Sequence, residues 1–243
     1  MYSKNCRIRY SETDMTGRLS MNGLLRLFQD AGYNHAIDRN LGMEYTKKTG
    51  CTWYLLSWHI CSIDMPYAGE QVTVSTYIYD YQASLAYKSI ELRNTNGKLL
   101  AVGDTKWVYM DIDKQEPAEA PAGQWLDTDF GKKAEMPQVS RRIEVPENVR
   151  IAEKIYVKPY LIDTNGHANN VKLTELAMSI SNADAGCVAL RAEFKRQVRK
   201  ETFVYPYIAD KEDGVVIVFK DEKGETLSVF EFIYKGDNLC GSL

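Results

Sequence analysis

The sequence predicts an α+β fold built from two similar units, each an antiparallel sheet that wraps around its own helix. In each half of the chain, an apolar stripe of helical period is followed by four segments in which apolar and polar residues alternate. Turn-forming residues, such as those at 94–97 and 213–214, separate these segments. Two such units side by side can form one continuous sheet, which removes an exposed edge.

Composition excludes several classes of protein. The 243 residues are 44% apolar and 26% charged, as in an ordinary globular protein, and the net charge of -3 disfavours a nucleic-acid binder. The apolar runs have the length of strands, too short to span a membrane. The five cysteines are scattered and include no CxxC pair, so neither a metal site nor a disulfide framework is expected. The amino terminus enters a strand-like segment at once, so we expect no signal peptide and a cytoplasmic location.

In the first half, the pattern predicts a short strand within 6–14 and a helix from residue 22 to about residue 39. The apolar stripe of that helix consists of Leu24, Leu27, Phe28, Ala31 and His35. We interpret His35 as a hydrogen-bonded core residue. Four strands follow, at about 53–65, 70–80, 84–94 and 98–111. Residues 113–148 hold four of the seven prolines and are interpreted as a linker with a short helix near Trp125.

The second half repeats this order. A strand is predicted at 151–157 and a helix at 171–180, and four strands follow at about 187–197, 201–210, 214–221 and 225–235. The buried stripe of the helix is predicted to be Leu173, Leu176, Ala177 and Ile180. An offset of 149 residues relates Asp14 to Asp163, Thr16 to Asn165, Gly17 to Gly166 and Arg18 to His167. The two halves therefore share a scaffold, but only the second carries the amide and the imidazole.

The segment before the second helix holds the strongest candidates for chemistry. If it is extended, alternate residues share a face, and Asp163, Asn165 and His167 converge on one point. Asn169 or Asn170 is a suitable N-cap for the helix. The helix N-terminus offers free N–H groups to an oxygen that gains negative charge. The structural alternative is a capped loop with a surface histidine.

Several segments, in order along nearly the whole chain, resemble the acyl-acyl carrier protein (acyl-ACP) thioesterases of plants and bacteria. They are Thr-Trp-Tyr-Leu-Leu-Ser at 52–57, Pro-Tyr-Ala-Gly-Glu-Gln-Val at 66–72, Trp-Val-Tyr-Met-Asp at 107–111, Asp-Thr-Asn-Gly-His-Ala-Asn-Asn at 163–170 and Glu-Phe-Lys-Arg at 193–196. The resemblance implies a tandem hotdog fold without a metal or other cofactor. It implies an N-terminal hotdog domain that holds the acyl chain at 1–112, the linker at 113–148 and a catalytic hotdog domain at 149–243.

The resemblance also implies that Asp163, Asn165 and His167 are the catalytic group for hydrolysis of an acyl-ACP thioester. His167 would accept the proton of the attacking water, because imidazole titrates near neutral pH. Asp163 would orient the ring, Asn165 would position the water or donate to the carbonyl oxygen, and N–H groups from Asn169 to Val171 would complete an oxyanion site. In the alternative scheme, Asp163 is the base or the nucleophile.

The chain departs from the family after Arg196. Many members carry a glutamate at the position of Gln197, and plant members carry a cysteine at that of Val198. Glutamine cannot accept a proton and valine cannot act as a nucleophile, so we assign Gln197, with Asn169 and Asn170, a supporting role in catalysis. Glu193 should share a strand face with Gln197, but we do not expect it to replace the missing carboxylate. We expect Glu175 on a solvated helix face, and His59 has no evident partner.

A basic run, Lys195, Arg196, Arg199 and Lys200, lies near the predicted site. It is either a solvated hairpin end or a dock for an acidic carrier protein or for the phosphate of its pantetheine arm. Two other functions remain open: an acyl-coenzyme A thioesterase, and a catalytically weak acyl-binding protein, for which Gln197 is the one hint. As an alternative to its role in the core, His35 could line an acyl tunnel. The chain could be a monomer or a homodimer.

Overall fold

The computed structural model of the chain describes residues 1–124, 130–181 and 186–234. The chain divides into two compact units. Unit 1 comprises Met1–Leu56 and Ser62–Met136, and unit 2 comprises Ser57–Cys61 and Pro137–Leu243. Each unit has an antiparallel sheet and a helix that contacts it, so the predicted fold class is confirmed. In the described part of the chain, no helix is both long and apolar enough to cross a membrane.

Unit 1 has the predicted order of one long helix and four consecutive strands. Its helices are α1 (Met21–Asp38) and α2 (Met43–Thr49), and its strands are β1 (Tyr2–Arg7), β2 (Cys51–Ser62), β3 (Gln71–Gln82), β4 (Leu85–Asn94), β5 (Leu99–Asp111) and β6 (Glu116–Pro117). Within β2, residues Ser57–Cys61 belong to unit 2. The strand order is β1-β3-β4-β5-β2, and β6 pairs with β5. The four long strands end within three residues of their predicted limits.

Two elements of unit 1 differ from the prediction. The first strand lies earlier than expected, at Tyr2–Arg7, and Tyr10–Glu12 forms a 3₁₀ turn instead. The helix α2 was not predicted, and its seven residues lie between two glycines. Gly42 is its N-cap, and Gly50 ends it with φ of 68°, a left-handed conformation that glycine adopts without a steric penalty.

The buried face of α1 packs against β1 and β3. Ser20 caps the helix, because its Oγ accepts a hydrogen bond from the Gly23 N–H at 3.0 Å. The buried residues include the predicted Leu24, Phe28, Ala31 and His35. Leu27 is only half-buried, and the buried face turns instead toward Leu25.

Unit 2 repeats this plan. Its helix is α3 (Asn170–Ser181), and its strands are β7 (Arg150–Ile151), β8 (Ile155–Tyr156), β9 (Ala189–Phe194), β10 (Phe203–Lys211), β11 (Gly214–Lys220) and β12 (Thr226–Ile233). Residues Ser57–Cys61 of β2 pair with β9, and the order continues β9-β12-β11-β10-β7, with β8 also on β10. The single strand predicted at 151–157 is wrong, because β7 and β8 are two short strands.

The buried face of α3 also differs slightly from the prediction. Leu173 and Ala177 are buried as expected, whereas Leu176 and Ile180 are half-buried. The remaining buried positions are Val171, Thr174 and Met178. An apolar helix buries a broad face rather than a narrow stripe, so neighbouring residues share the burial.

The segment interpreted as a linker packs against both sheets. In unit 1, the Gly131 N–H donates to the Ile78 carbonyl at 3.0 Å. In unit 2, the Ile143 N–H donates to Glu193 Oε1 at 2.7 Å, and Arg191 donates to the Ser140 carbonyl at 2.6 Å. The helix expected near Trp125 lies outside the described residues.

His35 is buried as predicted, but the prediction that it is hydrogen-bonded is wrong. Its side chain is 4% exposed, and its Nδ1 makes no hydrogen bond within the described residues. Burial lowers the pKa of the imidazole to about 3, and the charges of Lys88, the terminal amino group and Arg39 act in the same direction. His35 is therefore neutral in the folded protein across the ordinary pH range.

We predict that His35→Leu makes stability less sensitive to acid. A histidine that titrates near 6.5 when unfolded and near 3 when folded stabilises the protein fully above pH 6.5. That contribution is lost as the pH falls from 6.5 toward 3. Between pH 7 and pH 5 the loss is about 2 kcal/mol, and His35→Leu should remove it. Urea titrations at the two pH values measure the difference.

The matched control is Phe28→Leu, which alters the same buried helix face without removing an ionisable group. It should lower the free energy of unfolding similarly at both pH values. If His35→Leu kept the wild-type dependence on pH, His35 would not be the group that senses acid.

Candidate active site

Residues 163–167 form a closed turn, so the extended segment predicted from alternation is wrong. The Asp163 N–H donates to the His167 carbonyl at 2.9 Å, and the Gly166 N–H donates to the Asp163 carbonyl at 3.0 Å. Gly166 has φ of 78°, which favours glycine. The turn brings the backbones of Asp163 and His167 together and leaves Asn165 exposed at its tip. Asp163 Oδ1 accepts from the Asn165 N–H at 2.8 Å and stabilises the turn.

Unit 1 contains the same turn at the position predicted by the repeat. The Asp14 N–H donates to the Arg18 carbonyl at 2.8 Å, the Gly17 N–H donates to the Asp14 carbonyl at 3.0 Å, and φ of Gly17 is also 78°. Arg18 occupies the position that His167 has in unit 2, and it pairs with Asp64 at 3.2 Å. The internal repeat is therefore confirmed in backbone detail.

A short antiparallel pairing places Arg199 beside His167. The two residues form an isolated β-bridge, and the next N–H, of Ala168, donates to the Val198 carbonyl at 2.8 Å. With this bond between their neighbours, His167 and Arg199 face each other without a direct backbone hydrogen bond. In antiparallel pairs of this kind the two side chains lie closest. Gln197 lies two residues before Arg199 on the same segment.

The environment keeps His167 neutral. Its side chain is half-buried, and burial lowers the pKa of the imidazole. The Asp163 carboxylate opposes this effect and raises the pKa, whereas the Arg199 guanidinium lowers it. The net pKa lies below the ordinary value of 6.5, so a neutral imidazole that can accept a proton prevails at pH 7.

Asn169 is the N-cap of α3, which confirms one of the two predicted alternatives, Asn169 or Asn170. Its Oδ1 accepts from the N–H groups of Val171 at 3.0 Å and Lys172 at 3.2 Å, and its own N–H donates to the Leu161 carbonyl. The N–H groups of Asn169 and Val171, two of the three expected to stabilise an oxyanion, are therefore already hydrogen-bonded. The Asn170 N–H makes no hydrogen bond within the described residues and is the remaining donor of that set.

The predicted face shared by Glu193 and Gln197 does not exist, because β9 ends at Phe194 and the chain bends at Arg196. Glu193 is engaged elsewhere: besides the bond from Ile143, its Oε2 lies 3.1 Å from Lys195 Nζ. Gln197 is half-buried. The other two candidates also differ from expectation. Glu175 is half-buried rather than solvated, and His59 Nε2 lies 3.6 Å from Cys61 Sγ.

The basic run separates into paired and unpaired charges. Lys195 is paired with Glu193, and Arg196 NH2 lies 2.9 Å from Glu225 Oε2. Arg199 and Lys200 are exposed, and neither has a carboxylate oxygen within 4.0 Å in the described ranges. Only these two residues of the run therefore present an uncompensated charge to solvent. No three His, Cys, Asp or Glu side chains of the described residues could together hold a metal ion.

Comparison with known proteins places this geometry in context. A family model described as the acyl-ACP thioesterase N-terminal domain matches residues 1–122. The chain is similar to the structure of an acyl-ACP thioesterase from Bacteroides thetaiotaomicron, with a TM-score of 0.85 and 18% identity over 96% of this chain and 97% of the other. It is also similar to a 12:0-ACP thioesterase from Umbellularia californica, with a TM-score of 0.79 and 15% identity over 96% of each chain. No curated protein sequence matches.

Proposed function

Since this chain belongs to the acyl-ACP thioesterase family and is a thioester hydrolase, we propose that it hydrolyses acyl-ACP and releases a free fatty acid. The observation that supports this reaction best is the half-buried, neutral imidazole of His167, next to Asp163 and just before the N-terminus of α3. A base of this kind is what water attack on a thioester needs near neutral pH.

In the proposed mechanism, His167 accepts a proton from water while the water oxygen attacks the thioester carbonyl. The Asp163 carboxylate stabilises the imidazolium that forms. The negative charge that develops on the carbonyl oxygen is stabilised by the Asn170 N–H and by the positive end of α3. The carbon–sulfur bond then breaks, and His167 returns its proton to the departing thiolate. One water and one thioester give one fatty acid and one thiol.

Asn165 and Gln197 have supporting roles in this proposal. Asn165 is exposed at the tip of the turn, where its amide can contact the incoming water or the carbonyl oxygen. Gln197 is assigned to holding water, because it is half-buried and lies two residues before Arg199, the bridge partner of His167. The alternative, in which Asp163 itself is the base or nucleophile, predicts a different dependence on pH.

The proposal also assigns the acyl chain to unit 1 and the carrier protein to the exposed charges of Arg199 and Lys200, which suit an acidic partner. A cytoplasmic location and a monomer or homodimer belong to the same proposal. An acyl-coenzyme A thioesterase would use the same chemistry on another carrier. Hydrolysis rates for one acyl chain on each of the two carriers separate these functions.

The first test uses His167→Ala and the pH dependence of two neighbouring variants. His167→Ala should lower kcat by about 10²-fold or more. For the wild type, kcat/KM should fall on the acid side with a midpoint below 6.5. Asp163→Asn removes a charge that raises the pKa of His167, so the midpoint should move down. Arg199→Gln removes a charge that lowers it, so the midpoint should move up.

Asparagine keeps the side-chain oxygen that accepts from the Asn165 N–H, so Asp163→Asn preserves the turn. Shifts of the two midpoints in the same direction would contradict the electrostatic assignment. Loss of the acid-side midpoint in Asp163→Asn would identify Asp163 as the base. If His167→Ala hydrolysed the substrate as fast as the wild type, the assigned site would be wrong. If the wild type held bound acyl species without turnover, the chain would be a binding protein.

The second test concerns the carrier. Lys200→Glu should raise KM for acyl-ACP several-fold while leaving hydrolysis of a small non-carrier thioester unchanged, because exposed charges act on a distant partner rather than on the bond cleaved. The effect should shrink as salt rises, since screening acts beyond about 10 Å at 0.1 M. Steady-state kinetics on both substrates measure it.

Lys132→Glu provides the control, since it makes the same charge reversal at an exposed lysine of unit 1. It should leave both substrates unaffected. A similar loss on the carrier substrate from both reversals would show that overall charge, rather than a dock at Lys200, governs the encounter.

The third test concerns Gln197. His167 already supplies the base, and a second carboxylate near Asp163 would add repulsion between like charges. We therefore predict that Gln197→Glu changes kcat by less than about tenfold, equivalent to about 1.4 kcal/mol. Gln197→Ala should lower kcat more, because it removes both hydrogen-bonding groups. An acceleration of about a hundredfold in the glutamate variant would mean that the natural chain lacks its base.

A further inference from the structure

The interior of unit 1 contains a lysine at a position that strand alternation assigns to the core. On β4, Lys88 lies on the same face as Ile90 and Leu92, which are 2% and 0% exposed. Its partner across the sheet is Thr105 on β5. The Lys88 ammonium lies 5.5 Å from the centre of the Trp107 ring, a cation–π arrangement on this inner face.

The helix α1 brings two more basic groups to the same place. A Cβ atom added to Gly32 would lie 3.9 Å from the Trp107 ring, so the helix passes close to this tryptophan. His35 follows Gly32 by about one turn, and Arg39, the C-cap, follows His35 by another. The charges of Lys88 and Arg39 both act to lower the pKa of His35.

No acid compensates Lys88 within residues 1–124, 130–181 and 186–234. No carboxylate oxygen of these residues lies within 4.0 Å of its ammonium. The nearest acids along the strands, Glu91 and Asp104, lie on the opposite face and pair with Arg93 at 2.8 Å and Lys133 at 2.7 Å. Burial, and then the charge of Arg39, lowers the pKa of Lys88 to about 8. The side chain is nevertheless only half-buried, so part of it remains accessible to a ligand.

The hydroxyl, amide and indole groups of the neighbouring cluster are already hydrogen-bonded. The hydroxyls of Tyr45 and Tyr109 lie 2.6 Å apart, Gln124 Nε2 donates to the Tyr45 hydroxyl at 2.8 Å, and Trp53 Nε1 donates to Gln124 Oε1 at 3.0 Å. These residues pack with Trp107 in one cluster, except for Gln124. Lys88 and His35 thus differ from their polar neighbours in having donors to spare.

We propose that Lys88 and His35 bind a carboxylate inside unit 1, and that this carboxylate is the far end of an acyl chain derived from a dicarboxylic acid. The inference rests on the proposed function, in which unit 1 holds the acyl chain. A carboxylate accepts hydrogen bonds from the ammonium and from the imidazole N–H, and it neutralises the charge of Lys88. A methyl end would instead leave the ammonium without a counterion and both donors unpaired.

The binding test compares octanedioate with octanoate by calorimetry on the full chain. The wild type should bind octanedioate at least about tenfold more tightly, as expected for a charged hydrogen bond, and Lys88→Met should remove this preference. The matched control is Lys106→Met. Lys106 also lies 5.5 Å from an aromatic ring, that of Tyr87, but on the opposite face of the sheet, and its loss should leave the preference intact.

The kinetic test uses octanoyl-ACP and its analogue with a carboxyl group in place of the terminal methyl. The ratio of kcat/KM values, carboxyl over methyl, should fall by about tenfold or more in Lys88→Met. His167→Ala should bind octanedioate like the wild type while losing hydrolysis. Lys88→Gln, which keeps a polar end, replaces the methionine variant if circular dichroism shows that the latter is unfolded.

The outcomes separate the two proposals. Equal binding of octanedioate by wild type and Lys88→Met, or an equal loss in Lys106→Met, would overturn the carboxylate site. Tight binding of octanoate that also depends on Lys88 would assign the site to a free fatty acid and overturn the assignment to the far end of the chain. Lys88-dependent binding of octanedioate without hydrolysis of any thioester would refute the proposed function but leave the site standing.

Discussion

The candidate site depends on one constraint: the turn at 163–167 is closed by two backbone hydrogen bonds, from the Asp163 N–H to the His167 carbonyl and from the Gly166 N–H to the Asp163 carbonyl. Two further bonds, Ala168 N–H to Val198 and Asn169 N–H to Leu161, fix where the chain leaves the turn and enters α3. These bonds join backbone atoms only, and the Asn165 N–H adds one bond to Asp163 Oδ1. The position of His167 relative to the helix N-terminus is therefore set mainly by the backbone.

The repeat separates scaffold from chemistry in the same way. Unit 1 has the same turn, the same glycine conformation and an N-cap serine where unit 2 has Asn169. Its Arg18 cannot act as a base, because a guanidinium does not lose its proton in a protein. The two turns have the same backbone but allow different chemistry, mainly because His167 can act as a base and Arg18 cannot.

The sequence predicted the repeated order of helix and strands, since alternation and turn residues are local signals that the tertiary structure preserves. It failed where geometry depends on contacts distant in sequence. The turn at Asp163 was interpreted as extended because alternation alone cannot distinguish the two conformations. The proximity of Arg199 to His167 arises from a pairing of segments about 30 residues apart, which no local pattern reveals. Lys88 was detectable: it interrupts the apolar face of β4, and this departure from the binary pattern was overlooked.

Buried charges of the two units differ in how they are compensated among the described residues. In unit 2, buried Glu231 is held between Arg191 at 2.8 Å and Lys211 at 2.5 Å, so its charge is compensated within the protein. In unit 1, Lys88 and His35 are desolvated without an acid among the described residues. Uncompensated burial destabilises a folded protein, and a ligand that supplies the missing charge recovers that free energy on binding. The cost in unit 1 is therefore more readily explained by a bound anion than by a structural role of the lysine.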